Sequence, residues 1–170
     1  MRISMSSRLW TDIHQQLDDG SECAVFLFVN EDPVVEGVLQ VVDVRYLDPE
    51  HDYEDRSGEH LALADHVLGQ VIKQAHDLGA GIVEVHGHYT EGGSTCMSPY
   101  DIRGLRELTP QVLWRLPDRA YVALVVGKES FDGLVWTAVG APESLEGLII
   151  DGARHSATGL SLALLDEGGD

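Results

Sequence analysis

The chain has 170 residues, 44% of them apolar, which suits one domain with a sizeable core. Eleven basic against 29 acidic residues leave a net charge of -18. Such a surface repels nucleic acid and anionic membranes, which bind through Lys and Arg clusters; it would favour a partner with a basic face, while solubility is the simpler reason for most of the charge.

Residues 1–8 are polar with no apolar segment of signal-peptide type behind them, and no apolar run reaches membrane-spanning length, so a cytoplasmic protein is expected. Of the cysteines, Cys23 lies beside a strand pattern and Cys96 in a loop, which gives no indication of a structural disulfide.

Leu9, Ile13 and Leu17 form one stripe over residues 7–18 and predict an amphipathic helix ended by Gly20. Ala24-Val25-Phe26-Leu27-Phe28-Val29 is a continuous apolar run, the pattern of a central strand. Asn30-Glu31-Asp32-Pro33 reads as a turn. Residues 34–47, β-branched with Gly37 early, predict one long or bulged strand.

Residues 48–59 are strongly acidic with almost no apolar content. They predict a mobile loop, either facing a substrate or simply solvated. Asp65 can cap a helix running to Leu78, with Val67, Leu68, Val71, Ile72 and Ala75 inward and Gly79 as terminator.

Gly81-Ile82-Val83-Glu84-Val85 predicts a buried strand, followed by a loop over residues 89–97 and a helix from Pro99 to about Leu108. Thr109-Pro110 opens a further short helix with Leu113, Trp114 and Leu116 as candidate core. Residues 121–126 and 134–139 predict strands joined at Lys128-Glu129-Ser130, and Leu148-Ile149-Ile150 a last one.

Residues 160–165 could pack as a strand, while the final Glu-Gly-Gly-Asp should fray. The expected organisation is one domain over residues 1–150 and a partly disordered C-terminal extension over 151–170. The expected class is α+β, α/β/α-like, with a mixed central β-sheet flanked by helices.

The chemistry concentrates at His86-Gly87-His88 and the later Ser98-Pro99-Tyr100-Asp101. Strand side chains alternate, so His86 and His88 point the same way. With one carboxylate from the next helix they make three ligands and leave a tetrahedral position open, the arrangement of a catalytic zinc site. Each part has a plainer reading: a lone His is usually a satisfied residue. Ser98, Pro99 and Asp101 also make a good helix start. Together, behind one strand, they point to a metal. His-x-His also opens many barrel hydrolases, but such a barrel takes about 250 residues.

The pattern resembles the JAB/MPN metalloprotease family, whose JAMM motif is a distal Glu, then His-x-His, then Ser-x-x-Asp. The likeness extends over residues 9–137: a helix, Gly20-Ser21-Glu22-Cys23 leading into an apolar strand, and a helix ending in Gly. The motif and a strand pair with Leu134-Val135-Trp136 follow. The bacterial branch, found beside ubiquitin-activating and ubiquitin-conjugating-like proteins, is the most similar in character. Two departures stand out. Tyr89 occupies the family's Pro position, and residues 89–97 are two longer than usual, which Gly92-Gly93 can absorb.

This resemblance implies a JAB/MPN-like fold and a Zn2+ held by His86, His88 and Asp101. It implies Glu22 as general base, passing the water proton to the leaving amine. Glu31, Glu36, Glu59 and Glu91 compete for that role, but Glu22 abuts a buried strand. Ser98 would hold the oxygen that becomes negative, though its hydroxyl can also cap the helix. A Cys96 thiolate could reach the metal; an incidental loop cysteine is the simpler reading. His14, His51, His60, His66, His76 and His155 show no ligand spacing.

The implied activity is that of a zinc-dependent, deubiquitinase-like peptidase or isopeptidase. It would cleave after the C-terminal tail of a ubiquitin-like protein, with ubiquitin-activating or conjugating-like proteins of the same operon as further partners. Two rivals remain: a peptidase acting on a sulfur-carrier protein, and a catalytically inactive MPN scaffold for protein–protein interaction.

Overall fold

The computed structural model describes residues 1–18, 23–56, 61–88 and 94–167. The chain opens with β1 (Arg2–Met5) and α1 (Ser7–Leu17), then β2 (Ala24–Glu31) and β3 (Val38–Tyr46). A hairpin of β4 (Tyr53–Arg56) and β5 (Leu61–Leu63) leads into α2 (Asp65–Leu78) and β6 (Gly81–Gly87). After α3 (Pro99–Arg115) come β7 (Tyr121–Val126), β8 (Phe131–Trp136), β9 (Glu143–Ser144), β10 (Gly147–Ile150), β11 (Ala153–Ser156) and α4 (Leu160–Glu167).

Among the described residues nine strands form one mixed sheet in the order β11-β10-β1-β3-β2-β6-β7-β8-β9. β2 lies inside it, antiparallel to both β3 and β6, while β6 runs parallel to β7. The apolar run from Ala24 to Val29 is buried throughout because helices cover both faces of this strand.

Ala24, Phe26 and Phe28 join the core beneath α2 and α3. Val25, Leu27 and Val29 join the core beneath α1. Each large apolar side chain so buried contributes about 1.5–3 kcal/mol. The class is α+β with a central mixed sheet flanked by helices.

Helix ends follow local chemistry. Ser6 caps α1 by accepting the Leu9 N–H at 3.2 Å. Gly79 ends α2 in the left-handed conformation at φ 63°, where its N–H reaches the His76 carbonyl and that of Ala80 reaches Ala75. Gly20, expected to stop α1, lies outside the described residues.

Several expectations need correction. β1 was hidden in a polar-looking start, yet Ile3 and Met5 alternate into the core. β3 begins only at Val38; the bulge is real, since Phe28 pairs with Asp43 and Val29 with Val41, leaving Val42 extra. The acidic stretch is not wholly loop, for β4 and β5 pair within and beyond it. Asp65 is not the cap of α2: Ala64 holds that position, its N–H tied to the Asp52 carbonyl, and Asp65 is the first helical residue.

Pro110 does not start a new helix but sits inside α3. An interior proline costs about 3 kcal/mol or more. Burial of Ile102 and Leu105 before it and Val112 and Leu113 after it offsets that cost. Trp114 is not core: it is 77% exposed, under the Arg115 guanidinium, because only one flank of the last turn faces the sheet.

β8 starts at Phe131 rather than Leu134, since a tight turn closed by Gly127 N–H to the Ser130 carbonyl pairs Val126 with Phe131. Residues 160–165 belong to a helix, not a strand. The Asp132 carboxylate accepts the N–H groups of Gly159 and Ser161 at its start. Within the stretch assigned to an extension, β11 pairs along β10 and α4 packs beside β8; residues 168–170 lie outside the described residues.

Candidate metal centre

His86 is the penultimate residue of β6, and His88 extends the same strand by donating its N–H to the Val126 carbonyl at 2.7 Å. The β-branched run before them suits a strand buried between β2 and β7. Strand alternation brings both imidazoles to one side, with ring centroids 5.0 Å apart.

The carboxylate arrives from α3. Ser98 is its N-cap, Pro99 follows, and Asp101 stands at the third helical position. Ser98 Oγ accepts the Asp101 N–H at 3.2 Å, and Asp101 Oδ2 accepts the Ser98 N–H at 2.6 Å. Asp101 Oδ2 lies 3.3 Å from His88 Nε2 and 3.5 Å from His86 Nε2. Burial works against its charge. The adjacent His86 and His88 imidazoles, with the Ser98 N–H, nevertheless hold the Asp101 carboxyl well below the usual carboxylate range.

These separations fit a metal ion. Ligand atoms about 2.0–2.1 Å from a tetrahedral zinc stand roughly 3.3 Å apart. All three ligand atoms lie within 4.8 Å of one another, and among the described residues they form the group able to hold an ion. His88 Nδ1 donates to the Cys96 carbonyl at 3.2 Å, which places the proton there and leaves Nε2 as the ligand atom. His86 is nearly buried, and His88 and Asp101 are half-buried.

No protein-family model matches the chain, and no curated protein matches it. The case for the site therefore stands on its own geometry.

Glu22 lies outside the described residues. Cys23 and Ala24, which follow it, enter β2 at the end where Ala24 pairs with His86. Glu31 is at the far end of the same strand, about 20 Å away, since Val29 pairs with Gly81. Glu36, in the turn beyond it, is at that far end too. Glu59 and Glu91 lie outside the described residues, as do Tyr89, Gly92 and Gly93.

Ser98 occupies the capping position; that bond uses its oxygen and not its own proton. Cys96 stands outside the ligand group, and neither cysteine forms a disulfide. Its contribution is the backbone carbonyl that orients His88, a role no side-chain pattern could announce. His51 pairs with Asp48 and His66 with Asp52, and neither pair belongs to the ligand group. No helix of the described residues is long and apolar enough to cross a membrane.

Proposed function

We propose that the protein is a zinc-dependent peptidase or isopeptidase of JAB/MPN type, acting after the C-terminal tail of a ubiquitin-like protein. The observation that carries this reading is the convergence of His86 and His88 Nε2 on one oxygen of Asp101 at near-tetrahedral ligand spacing. Two imidazoles and a carboxylate suit zinc and leave room for a reacting molecule. Bound zinc supplies a water-derived nucleophile at neutral pH and polarises a carbonyl.

The chain's own groups carry the remaining steps. His86, His88 and Asp101 hold the ion, and the Cys96 carbonyl keeps the His88 proton on Nδ1. Glu22 takes the proton released by water and returns it to the departing amine. The Ser98 hydroxyl, whose proton the helix cap leaves unused, donates to the substrate oxygen as charge builds on it.

The β4–β5 hairpin supports an extended substrate. Its strands pair only with each other among the described residues, so each keeps an outer edge that a peptide can extend. The hairpin sits next to the site: Tyr53 Oη accepts the N–H of Ala24, the residue paired with His86. Exposed Glu54 and Asp55 on β4 favour a basic tail.

The test is cleavage of a ubiquitin-like protein extended at its C-terminus by a short peptide. The expected result is release of the intact ubiquitin-like protein, abolished by a chelator and restored by zinc. Zinc-loaded protein that cleaves no member of a panel of such fusions or lysine-linked conjugates would leave the scaffold reading in its place.

A further inference from the structure

Between the strand that carries the histidines and the helix that carries Asp101, the backbone of residues 95–97 is gripped by distant side chains. The Thr95 N–H donates to Ser130 Oγ at 3.0 Å, and the Thr95 carbonyl accepts from Thr158 Oγ1 at 2.8 Å. The Cys96 carbonyl accepts from His88 Nδ1, and the Met97 N–H donates to Ser161 Oγ at 2.9 Å. The Met97 side chain is 1% exposed, so the segment is also plugged into the core.

Thr158 and Ser161 bracket the start of α4, and one residue fixes that start. Asp132 is 0% exposed, an expensive place for a carboxylate unless its oxygens are bonded. It accepts the Gly159 N–H at 2.9 Å and the Ser161 N–H at 2.6 Å. The Thr158 N–H in turn donates to the carbonyl of the neighbouring Phe131 at 3.1 Å. The chain of contacts runs from Asp132 through Ser161 and Met97 to the peptide whose Cys96 carbonyl meets a ligand imidazole.

We infer that Asp132, Thr158 and Ser161 are positioning residues for the metal centre. They hold the Cys96 carbonyl where it fixes the ring and tautomer of His88. This rests on the metal reading above. A ligand imidazole depends on the partner of its second nitrogen, and loss of such partners costs roughly 10–100-fold in metal affinity. The C-terminal helix therefore belongs to the site, although it contributes no ligand.

The experiment measures zinc affinity and the visible spectrum of the Co2+-substituted full chain for wild type, Ser161→Ala, Thr158→Val and Asp132→Asn. Ser161→Ala removes one hydroxyl and leaves the Asp132 bonds to the backbone, so it tests the inference even where Asp132→Asn folds poorly. Thr11→Ala, which loses a helix hydroxyl on α1, is the control.

Ser161→Ala is expected to weaken zinc binding roughly tenfold and to change the Co2+ bands, with Ser161→Thr restoring both and Thr11→Ala changing neither. Wild-type affinity and an unchanged Co2+ spectrum in Ser161→Ala and Thr158→Val, whatever their melting temperatures, overturn the positioning role and leave the metal reading standing. A wild-type chain that takes up neither metal overturns both.

Discussion

One oxygen of Asp101 does two tasks: Oδ2 accepts the Ser98 N–H at 2.6 Å and faces His88 Nε2 at 3.3 Å. The group that starts α3 is thus the group that would complete a metal's ligand set. Helix capping fixes the carboxylate in place, which would lower the cost of ordering the site around an ion.

Asp101→Asn and Asp101→Ala should therefore part company. Asn keeps an oxygen for the Ser98 N–H and loses the charge, so zinc binding should fail while the helix cap survives. Ala should lose zinc and also the acceptor of the Ser98 N–H, destabilising the metal-free protein by about 0.5–1.5 kcal/mol beyond Asn. Zinc content and denaturant midpoints measure the two; equal stability of the variants would contradict the shared role of this oxygen.

Ser98→Ala should cost about 1 kcal/mol of stability through the cap. It should also lower turnover by roughly 10²–10³-fold through the lost donor, while zinc stays bound. Kinetics on a cleavable fusion separate the effects. A destabilised variant with undiminished turnover would restrict Ser98 to capping.

Glu22→Gln keeps size and hydrogen-bonding shape but cannot take a proton. Zinc content should stay at the wild-type level while turnover falls roughly 10²-fold or more. Full activity in this variant would move the general base to another acid.

Pro110→Ala should stabilise the chain, because position 110 lies inside α3 on its exposed side. Alanine restores a backbone N–H and removes the ring, so a gain of about 1–3 kcal/mol is expected in chemical denaturation. A loss of stability would mean that the ring itself is part of the packing.

The parts of this protein legible in its sequence are those decided by near neighbours. The apolar run at Ala24 and the Schellman end of α2 at Gly79 are set within a few residues. So is the Ser98–Asp101 box, and together with the alternation of His86 and His88 it made the candidate site readable.

What was not legible depends on partners far along the chain. Leu160, Leu162 and Leu165 fit a strand or a helix, and Asp132, distant in sequence, decides for the helix by taking its first N–H groups. Pro110 looks like a helix start until the burial of residues on both sides of it is known. The Thr158 and Ser161 hydroxyls carry no motif, since their acceptor and donor on residues 95–97 lie more than sixty residues away.

The most direct test of the metal site is zinc content per chain, measured on protein purified without chelators and compared with His86→Ala. The geometry predicts one zinc per wild-type chain and its loss in the variant, since two remaining protein ligands cannot compete for the ion. Wild-type protein that holds no zinc and cannot be loaded with it would contradict the account.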